Sequence, residues 1–265
     1  MNIVWNTFWQ VKRGNAIDEY EDAFCPEQLA GMSSSGKKFA VADGASETMQ
    51  SGQWAKILAG SYCRSRSVLT LRGARSMLAR AHRRWESWQS AYLRQRENTG
   101  RSLRWYEESG LSMGAFATLL GVALRARDRG KGFQLSAVAL GDSCLFMVRG
   151  QDLVVRFPLE SSREFARNPI CVSSRPSANQ SALGHFRFLP GQHLVPGDRI
   201  YLMTDAFAAW FLRLWEHDYQ PWIMLDEVCV NDRRSVDEFG ALVESLRIRG
   251  ELKNDDVTLI RIELV

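Results

Sequence analysis

The chain has 265 residues, 45% of them hydrophobic and 24% charged, with a formal net charge of +4 at pH 7. That length allows one large domain or two small ones, either able to bury a core, and the composition is that of an ordinary globular protein. No run of about 18 or more apolar residues occurs, and the N-terminus lacks the basic, apolar, small-residue order of a secretory signal, so no membrane insertion or export is expected and the cytoplasm is the expected compartment. The five cysteines, Cys25, Cys63, Cys144, Cys171 and Cys229, form no C-x-x-C pair, which argues against a disulfide framework or a thiolate zinc site.

Ile3 to Val11 has the aromatic and β-branched residues of a first strand, and Lys12-Arg13-Gly14-Asn15 reads as a turn. The acidic run Asp18 to Asp22 then leads into a short strand at Ala23-Phe24, placing Glu21 and Asp22 at its start; taken alone, these acids also fit solvated loop charges. Phe39 to Ala42 is a further strand, ending abruptly in Asp43-Gly44, where glycine permits a sharp exit and a close approach of its carbonyl to a ligand. Ser46 is positioned to cap a helix over Ser51 to Arg64. A longer helix, about Gly73 to Gln95, carries Leu78, Ala81, Trp85, Trp88 and Tyr92 as one apolar stripe. Its remaining surface is rich in arginine (Arg72, Arg75, Arg80, Arg83, Arg84, Arg94, Arg96), continuing to Arg101 and Arg104. That pattern fits a solvated face; no nucleic-acid motif accompanies it, so nucleic acid is not the expected partner.

Asn98 to Gly110 reads as a loop, and β structure dominates thereafter. Strands are predicted at Ala115 to Leu124, Phe133 to Leu140, Ser143 to Arg149 and Asp152 to Phe157. Turns at Asp128-Arg129-Gly130-Lys131, Gly141-Asp142 and Gly150-Gln151 suit an antiparallel meander. Residues 160–183 read as a long flap-like loop. Strands at His185 to Leu189 and Ile200 to Met203 follow, the second stopping at Asp205. Helices at Ala206 to Trp215, Trp222 to Val230 and Ser235 to Ile248 precede a closing strand, Val257 to Leu264. No linker divides the chain, so residues 1–265 are expected to form a single domain.

Glu21-Asp22, Asp43, Asp205 and Asp255-Asp256 all fall where strands begin or end, with Asp142 at a turn between strands. One sheet rim can hold them all. Carboxylates gathered so closely do not all stay ionised without cations between them, which points to a binuclear or trinuclear site for hard ions such as Mg²⁺ or Mn²⁺. Zinc suits the chain poorly, because His82, His185, His193 and His217 show no ligand spacing.

The ordered motifs EDAF, VADGASE, GAFATLLG, ALGDSCLF, PGDRIYLMTDAF and NDDVTLI resemble those of the metal-dependent type 2C protein phosphatases, the PPM family. VADGASE followed by Ser51-Gly52-Gln53-Trp54-Ala55 looks most like its compact bacterial branch. The resemblance implies an α+β fold, a four-layer α-β-β-α sandwich of two antiparallel sheets flanked by helix pairs. It also implies two or three Mn²⁺ or Mg²⁺ ions. Asp43 would bridge two of them, with the Gly44 carbonyl on one, while Asp205 and Asp255 hold the other; Glu21 and Asp22 would complete the first pair, partly through water. Asp142 with Asp205 would hold a weaker third ion. Asp43, Asp205, Asp255 and Asp22 are thus the expected catalytic ligands. The implied reaction is attack on phosphorus by a hydroxide held between metals, with phosphoserine or phosphothreonine on a protein as substrate, such as the target of a Ser/Thr kinase.

The chain departs from the family in three places. The family's phosphate-gripping Arg, four residues before the first acidic pair, falls on Ile17; Lys12 or Arg13 on the preceding turn, or Arg163 or Arg175 from the flap-like loop, are the substitutes in sequence. Ala45 stands where some members have a His that protonates the leaving group, and Ala206 replaces the Gly that follows the late Asp. Ile17 and Ala45 keep open a second reading: a pseudophosphatase that binds phosphoprotein with weak or no turnover. A third is a binding module that uses the arginine-rich helix on an acidic partner or nucleic acid.

Overall fold

Strands that are apolar on both faces need a covering layer on each side, and that requirement sets the architecture. The computed structural model describes residues 1–100, 103–127, 132–165, 168–229 and 235–265. Its elements run β1 (Ile3–Gln10), β2 (Ala23–Cys25), β3 (Ala30–Ser33), β4 (Lys37–Ala42), α1 (Ser51–Cys63), α2 (Leu71–Asn98), α3 (Trp105–Met113), β5 (Phe116–Ala117), β6 (Leu119–Ala126), β7 (Phe133–Leu140), β8 (Cys144–Arg149), β9 (Asp152–Phe157), β10 (Val172–Ser173), β11 (Arg187–Leu194), β12 (Arg199–Met203), α4 (Asp205–Glu216), α5 (Pro221–Val228), α6 (Ser235–Ile248) and β13 (Val257–Leu264). One antiparallel sheet has the order β3-β1-β13-β12-β8-β9 and a second β11-β7-β6-β4-β2, while β5 and β10 make a small pair of their own.

Alternation along each strand divides the apolar residues among three cores. Phe39 and Val41 of β4 meet Leu120 and Val122 of β6, Ile200 and Leu202 of β12, and Ile260 and Ile262 of β13 between the sheets. Ala40 and Ala42 face the other way, against Trp54, Leu58 and Tyr62 of α1 and, beyond them, Met77 and Trp85 of α2. On the opposite side, Phe146, Tyr201 and Leu259 lie under Phe207 and Phe211 of α4, Trp222 of α5 and Phe239 of α6. The result is the α-β-β-α sandwich that the resemblance implied. Close packing of α1 on its sheet needs a glycine at 121, because a Cβ there would stand 2.4 Å from the Tyr62 ring.

The stripe on α2 forms an aromatic ladder: Trp54 stacks on His82 at 5.5 Å and meets Trp85 edge-on, Trp85 touches Trp88, and Trp88 stacks on Tyr92 at 5.2 Å. Thr70 caps this helix by accepting from the Gly73 amide at 3.1 Å, so it starts two residues earlier than its apolar pattern indicates.

Several sequence expectations are corrected. Exposed Ser46 does not cap α1; the cap position is Gln50, at φ 63°, without a side-chain hydrogen bond. Asn98 to Gly110 is not all loop, since α3 begins at Trp105, where Glu107 turns back to accept from the Arg104 amide at 2.8 Å and pairs with Arg96 at 3.0 Å. The meander does not form: β7 and β8 lie in different sheets, and the short link Gly141-Asp142-Ser143 crosses between layers, with Gly141 at φ 97°. The strand expected at Ala115 to Leu124 is interrupted at Thr118 into β5 and β6, and β3 was not foreseen. The strand expected from His185 to Leu189 is β11, which runs through Pro190-Gly191 with a shift of register. The described part of residues 160–183 includes 3-10 turns at Ser162–Glu164 and Pro176–Asn179, with a third starting at Ala182, and is tied to the fold where β10 pairs with β5 and Asn179 holds the Ser173 backbone. The turn at Asp128-Arg129-Gly130-Lys131, Arg101 and Val230 lie outside the described residues. Among the described residues no helix is long and apolar enough to cross a membrane.

Trp54 is fully buried, joins α1 to α2 through its ring and donates from Nε1 to the Val172 carbonyl at 2.8 Å. Trp54→Ala is therefore expected to lower unfolding free energy by about 3–5 kcal/mol, and Trp88→Ala, at a half-buried position, by clearly less, as read from urea denaturation.

Candidate metal site

The two sheets end together at one rim, and each acid arrives there at the end of a different element. Asp43 follows β4, Asp22 precedes β2, Asp142 lies in the β7–β8 crossing, Asp205 opens α4, and Asp255 and Asp256 precede β13. Asp43, Gly44, Asp205 and Asp255 line a cavity of about 570 Å³ whose walls include Ala45, Phe116, Thr118, Pro169, Ile170 and Ala182. The backbone of Asp43 is held twice by Thr118: its amide donates to Oγ1 at 3.1 Å, and its carbonyl accepts from the Thr118 amide at 2.8 Å. A Cβ on Gly44 would meet backbone alone, the Ser51 carbonyl carbon at 2.7 Å and the Glu21 carbonyl oxygen at 2.8 Å, so only glycine lets the chain leave β4 beside the start of α1.

Asp22 is 1% exposed. Its Oδ2 accepts from the hydroxyls of Thr204 at 2.9 Å and Thr258 at 2.7 Å, while its Oδ1 has no hydrogen-bond partner among the described residues. Tyr20 bonds in turn to the Thr258 hydroxyl. Asp142 is 4% exposed, and neither of its carboxylate oxygens has such a partner. Burial pushes the Asp142 carboxyl up to about 7, helped by the charge of Asp205. Burial likewise raises Asp22 and Asp43 well above the usual carboxylate range, with neighbouring acids adding to it. Asp205 is raised by burial too, although Lys253 opposes the shift.

Lys253 is the positive charge in this acidic rim. Its Nζ lies 2.6 Å from Asp255 Oδ2 and 3.3 Å from Asp205 Oδ2. Partial burial works against that charge, but the two carboxylates outweigh it and hold the ammonium above the ordinary lysine pKa. Glu21 turns elsewhere: Ser51 Oγ donates to its Oε1 at 2.6 Å, and it lines a separate cavity of about 450 Å³ with Lys12, Tyr20 and Lys56. Arg13 pairs with Glu244 at 3.2 Å, so neither Lys12 nor Arg13 lines the cavity of Asp43. Asp256 serves as backbone anchor, accepting from the amides of Lys12 at 2.8 Å and Glu21 at 2.6 Å. With Asp205 and Asp255 turned onto Lys253 and Glu21 onto Ser51, no three His, Cys, Asp or Glu side chains form a ready ion-holding group among the described residues. The donor chemistry nevertheless suits a hard divalent ion: all the acids offer oxygen, and three buried carboxylate oxygens lack hydrogen bonds.

This chain belongs to the protein phosphatase 2C family, whose sequence model matches residues 19–249. Among solved structures, it resembles the photosystem II phosphatase PBCP with a TM-score of 0.58 at 15% identity, over 99% of each chain. The serine/threonine phosphatase PstP/Ppp of Mycobacterium tuberculosis matches with a TM-score of 0.57 at 14% identity, covering 100% of this chain and 99% of that one. The catalytic domain of PstP in complex with 2 manganese ions matches with a TM-score of 0.51 at 16% identity, over 99% of each chain. No curated protein matches the sequence. At such identities the structural likeness is one of fold.

Thr204, Thr258 and Lys253 were not foreseen at the site, and Asp256, counted among its acids, was not foreseen as a backbone anchor. Thr204 and Thr258 stand beside acids in MTDAF and DDVTLI, which is the signal that was available; nothing in the sequence marks Lys253 as facing two of them. Because the Asp142 carboxyl titrates near 7 when folded and near 4 when unfolded, the native state binds the extra proton between those values, and stability falls as pH rises through that window. In chelator, Asp142→Asn is expected to unfold at a higher urea concentration than the parent at pH 7.5, with a gain of about 1–4 kcal/mol that vanishes near pH 4. A constant offset across that range would contradict the assignment.

Proposed function

We propose that this chain is a metal-dependent protein phosphatase acting on phosphoserine or phosphothreonine, with Asp43, Gly44, Asp22, Asp205 and Asp255 holding two Mn²⁺ or Mg²⁺ ions and Asp142 with Asp205 a third. The observation that carries this reading is the set of buried, hydrogen-bond-free carboxylate oxygens on Asp22 and Asp142 at the rim that also holds Asp43 and Asp205. Nothing in an ordinary core rewards such a cluster of desolvated charge; divalent cations do. Magnesium and manganese accompany relatives of the same fold, RsbX and PstP respectively.

Bound there, the ions would supply Lewis acidity toward a phosphoryl group and acidify the attacking water. The chain's own residues do the positioning. Thr204 and Thr258 fix one oxygen of Asp22, which leaves the other, without a hydrogen-bond partner among the described residues, to hold an ion bound there. Thr118 fixes the backbone of Asp43, and its hydroxyl also bonds Ser143 at 3.0 Å, next to Asp142. Phe116, Pro169, Ile170 and Ala182 give the cavity an apolar wall that limits water around the reacting group. Ala45 lines the cavity and carries no ionisable group, so the leaving oxygen takes its proton from water.

A binding role with little turnover is favoured by one observation, the 71% exposure of Ile17 on a 3-10 turn where an arginine is expected. Phosphopeptide binding without release of phosphate in Mn²⁺ would select it. For the active enzyme, Asp43→Asn and Asp205→Asn are each expected to reduce Mn²⁺-dependent phosphopeptide hydrolysis by about two orders of magnitude or more while circular dichroism stays unchanged. Chelation is expected to abolish the parent activity and re-addition of Mn²⁺ to restore it.

A further inference from the structure

We propose that Lys253 is the residue that binds the phosphoryl group of the substrate. This rests on the phosphatase reading above and gives it the phosphate-binding cation that Ile17 does not provide.

Among the described residues, Lys253 is the only lysine or arginine that lines the cavity of Asp43, Asp205 and Asp255. Of the four basic residues the sequence offers as substitutes, Arg13 pairs with Glu244 at 3.2 Å, Arg175 donates to the carbonyl of Ser112, Lys12 lines the separate cavity of Glu21, and Arg163 does not line the cavity of Asp43. The Lys253 side chain is 65% exposed, so reaching a ligand requires no unpacking. It also borders a second hollow, lined by Phe165, Ala206, Ala209, Trp210 and Arg213, so Lys253 belongs to the wall of both cavities.

A phosphate monoester brings close to two negative charges into a rim of carboxylates, and its approach is unfavourable unless a positive group meets its outer oxygens. Lys253 offers three N–H donors on a flexible four-carbon stem. The ammonium lies 2.6 Å from Asp255 and 3.3 Å from Asp205, so with those two acids holding an ion Lys253 would turn away from the point between them, its donors free for the incoming phosphoryl oxygens. The same residue thus neutralises the acids before the ions arrive and grips the substrate afterwards.

The test compares the full chain with Lys253→Met and Lys253→Arg. Calorimetric titration measures Mn²⁺ binding and, at saturating Mn²⁺, inorganic phosphate binding; steady-state assays give kcat and KM for a phosphopeptide. Lys253→Met is expected to weaken phosphate binding and raise KM by about tenfold, with Mn²⁺ affinity unchanged or tighter, whereas Lys253→Arg stays within about threefold of the parent. The proposal is overturned if Lys253→Met binds phosphate as the parent does, or if its only effect is on Mn²⁺ affinity, which would make Lys253 a counter-charge alone. If the parent binds Mn²⁺ and phosphate without turnover, the phosphate titration still decides the role of Lys253. Failure of the parent to bind Mn²⁺ would remove the metal-dependent reading itself, and the proposal with it.

Discussion

Like charges withdrawn from water and set close together are the constraint on which this structure turns. Burial and mutual repulsion raise Asp22, Asp43 and Asp142 above the usual carboxylate range, and the fold does little to relieve them with hydrogen bonds of its own. What it does is fix the positions of the acids and of the chain beside them. Thr118 grips the main chain of Asp43, Thr204 and Thr258 share one oxygen of Asp22, and Asp256 fixes the amide of Glu21. Stability is given up at the rim and supplied by three apolar cores, the balance expected of a site shaped for a ligand.

The layered sandwich explains how acids distant in sequence become neighbours. Asp22 and Asp43 belong to the ends of β2 and β4 in one sheet, Asp205 and Asp255 to the ends of β12 and β13 in the other, and the crossing after β7 lays Asp142 between them. Had β7 and β8 formed a hairpin, Asp142 would have sat on a turn within a single sheet. The positive φ of Gly141 allows the alternative, with Thr118 packed where a side chain would otherwise project.

Much of this was legible in the sequence because strands with alternating apolar residues and helices with aromatic stripes carry their own periods. Asp152–Phe157, Ser235–Ile248 and Val257–Leu264 have the bounds their patterns predict. The acids were legible because each follows or precedes a strand. What was not legible depends on contacts across the chain: α3 is stabilised by Glu107 reaching back to Arg104 and across to Arg96, and composition in that stretch signals only polarity. Sheet membership of β7 and β8 is likewise invisible to a local pattern, since a link as short as Gly141-Asp142-Ser143 suits a hairpin as well as a crossing. The direction of Glu21, toward Ser51, and of Arg13, toward Glu244, is set by neighbours from other elements, which spacing does not encode.

Asp22 lies beside the sheet that contains β2, yet both hydroxyls that hold it come from the opposite sheet, through Thr204 after β12 and Thr258 in β13. The sandwich is therefore stapled at its open end by that carboxylate oxygen, with the Glu21 amide on the Asp256 carboxylate as a further tie between the same two sheets. Any repacking in the interior that spreads or slides one leaf against the other, even far from the rim, must either break that staple or drag Asp22 along. The spacing of the leaves and the position of Asp22 are thereby coupled, so that volume changes at positions such as Val122 or Ile260, buried between the sheets, reach the rim through the strands that carry its acids.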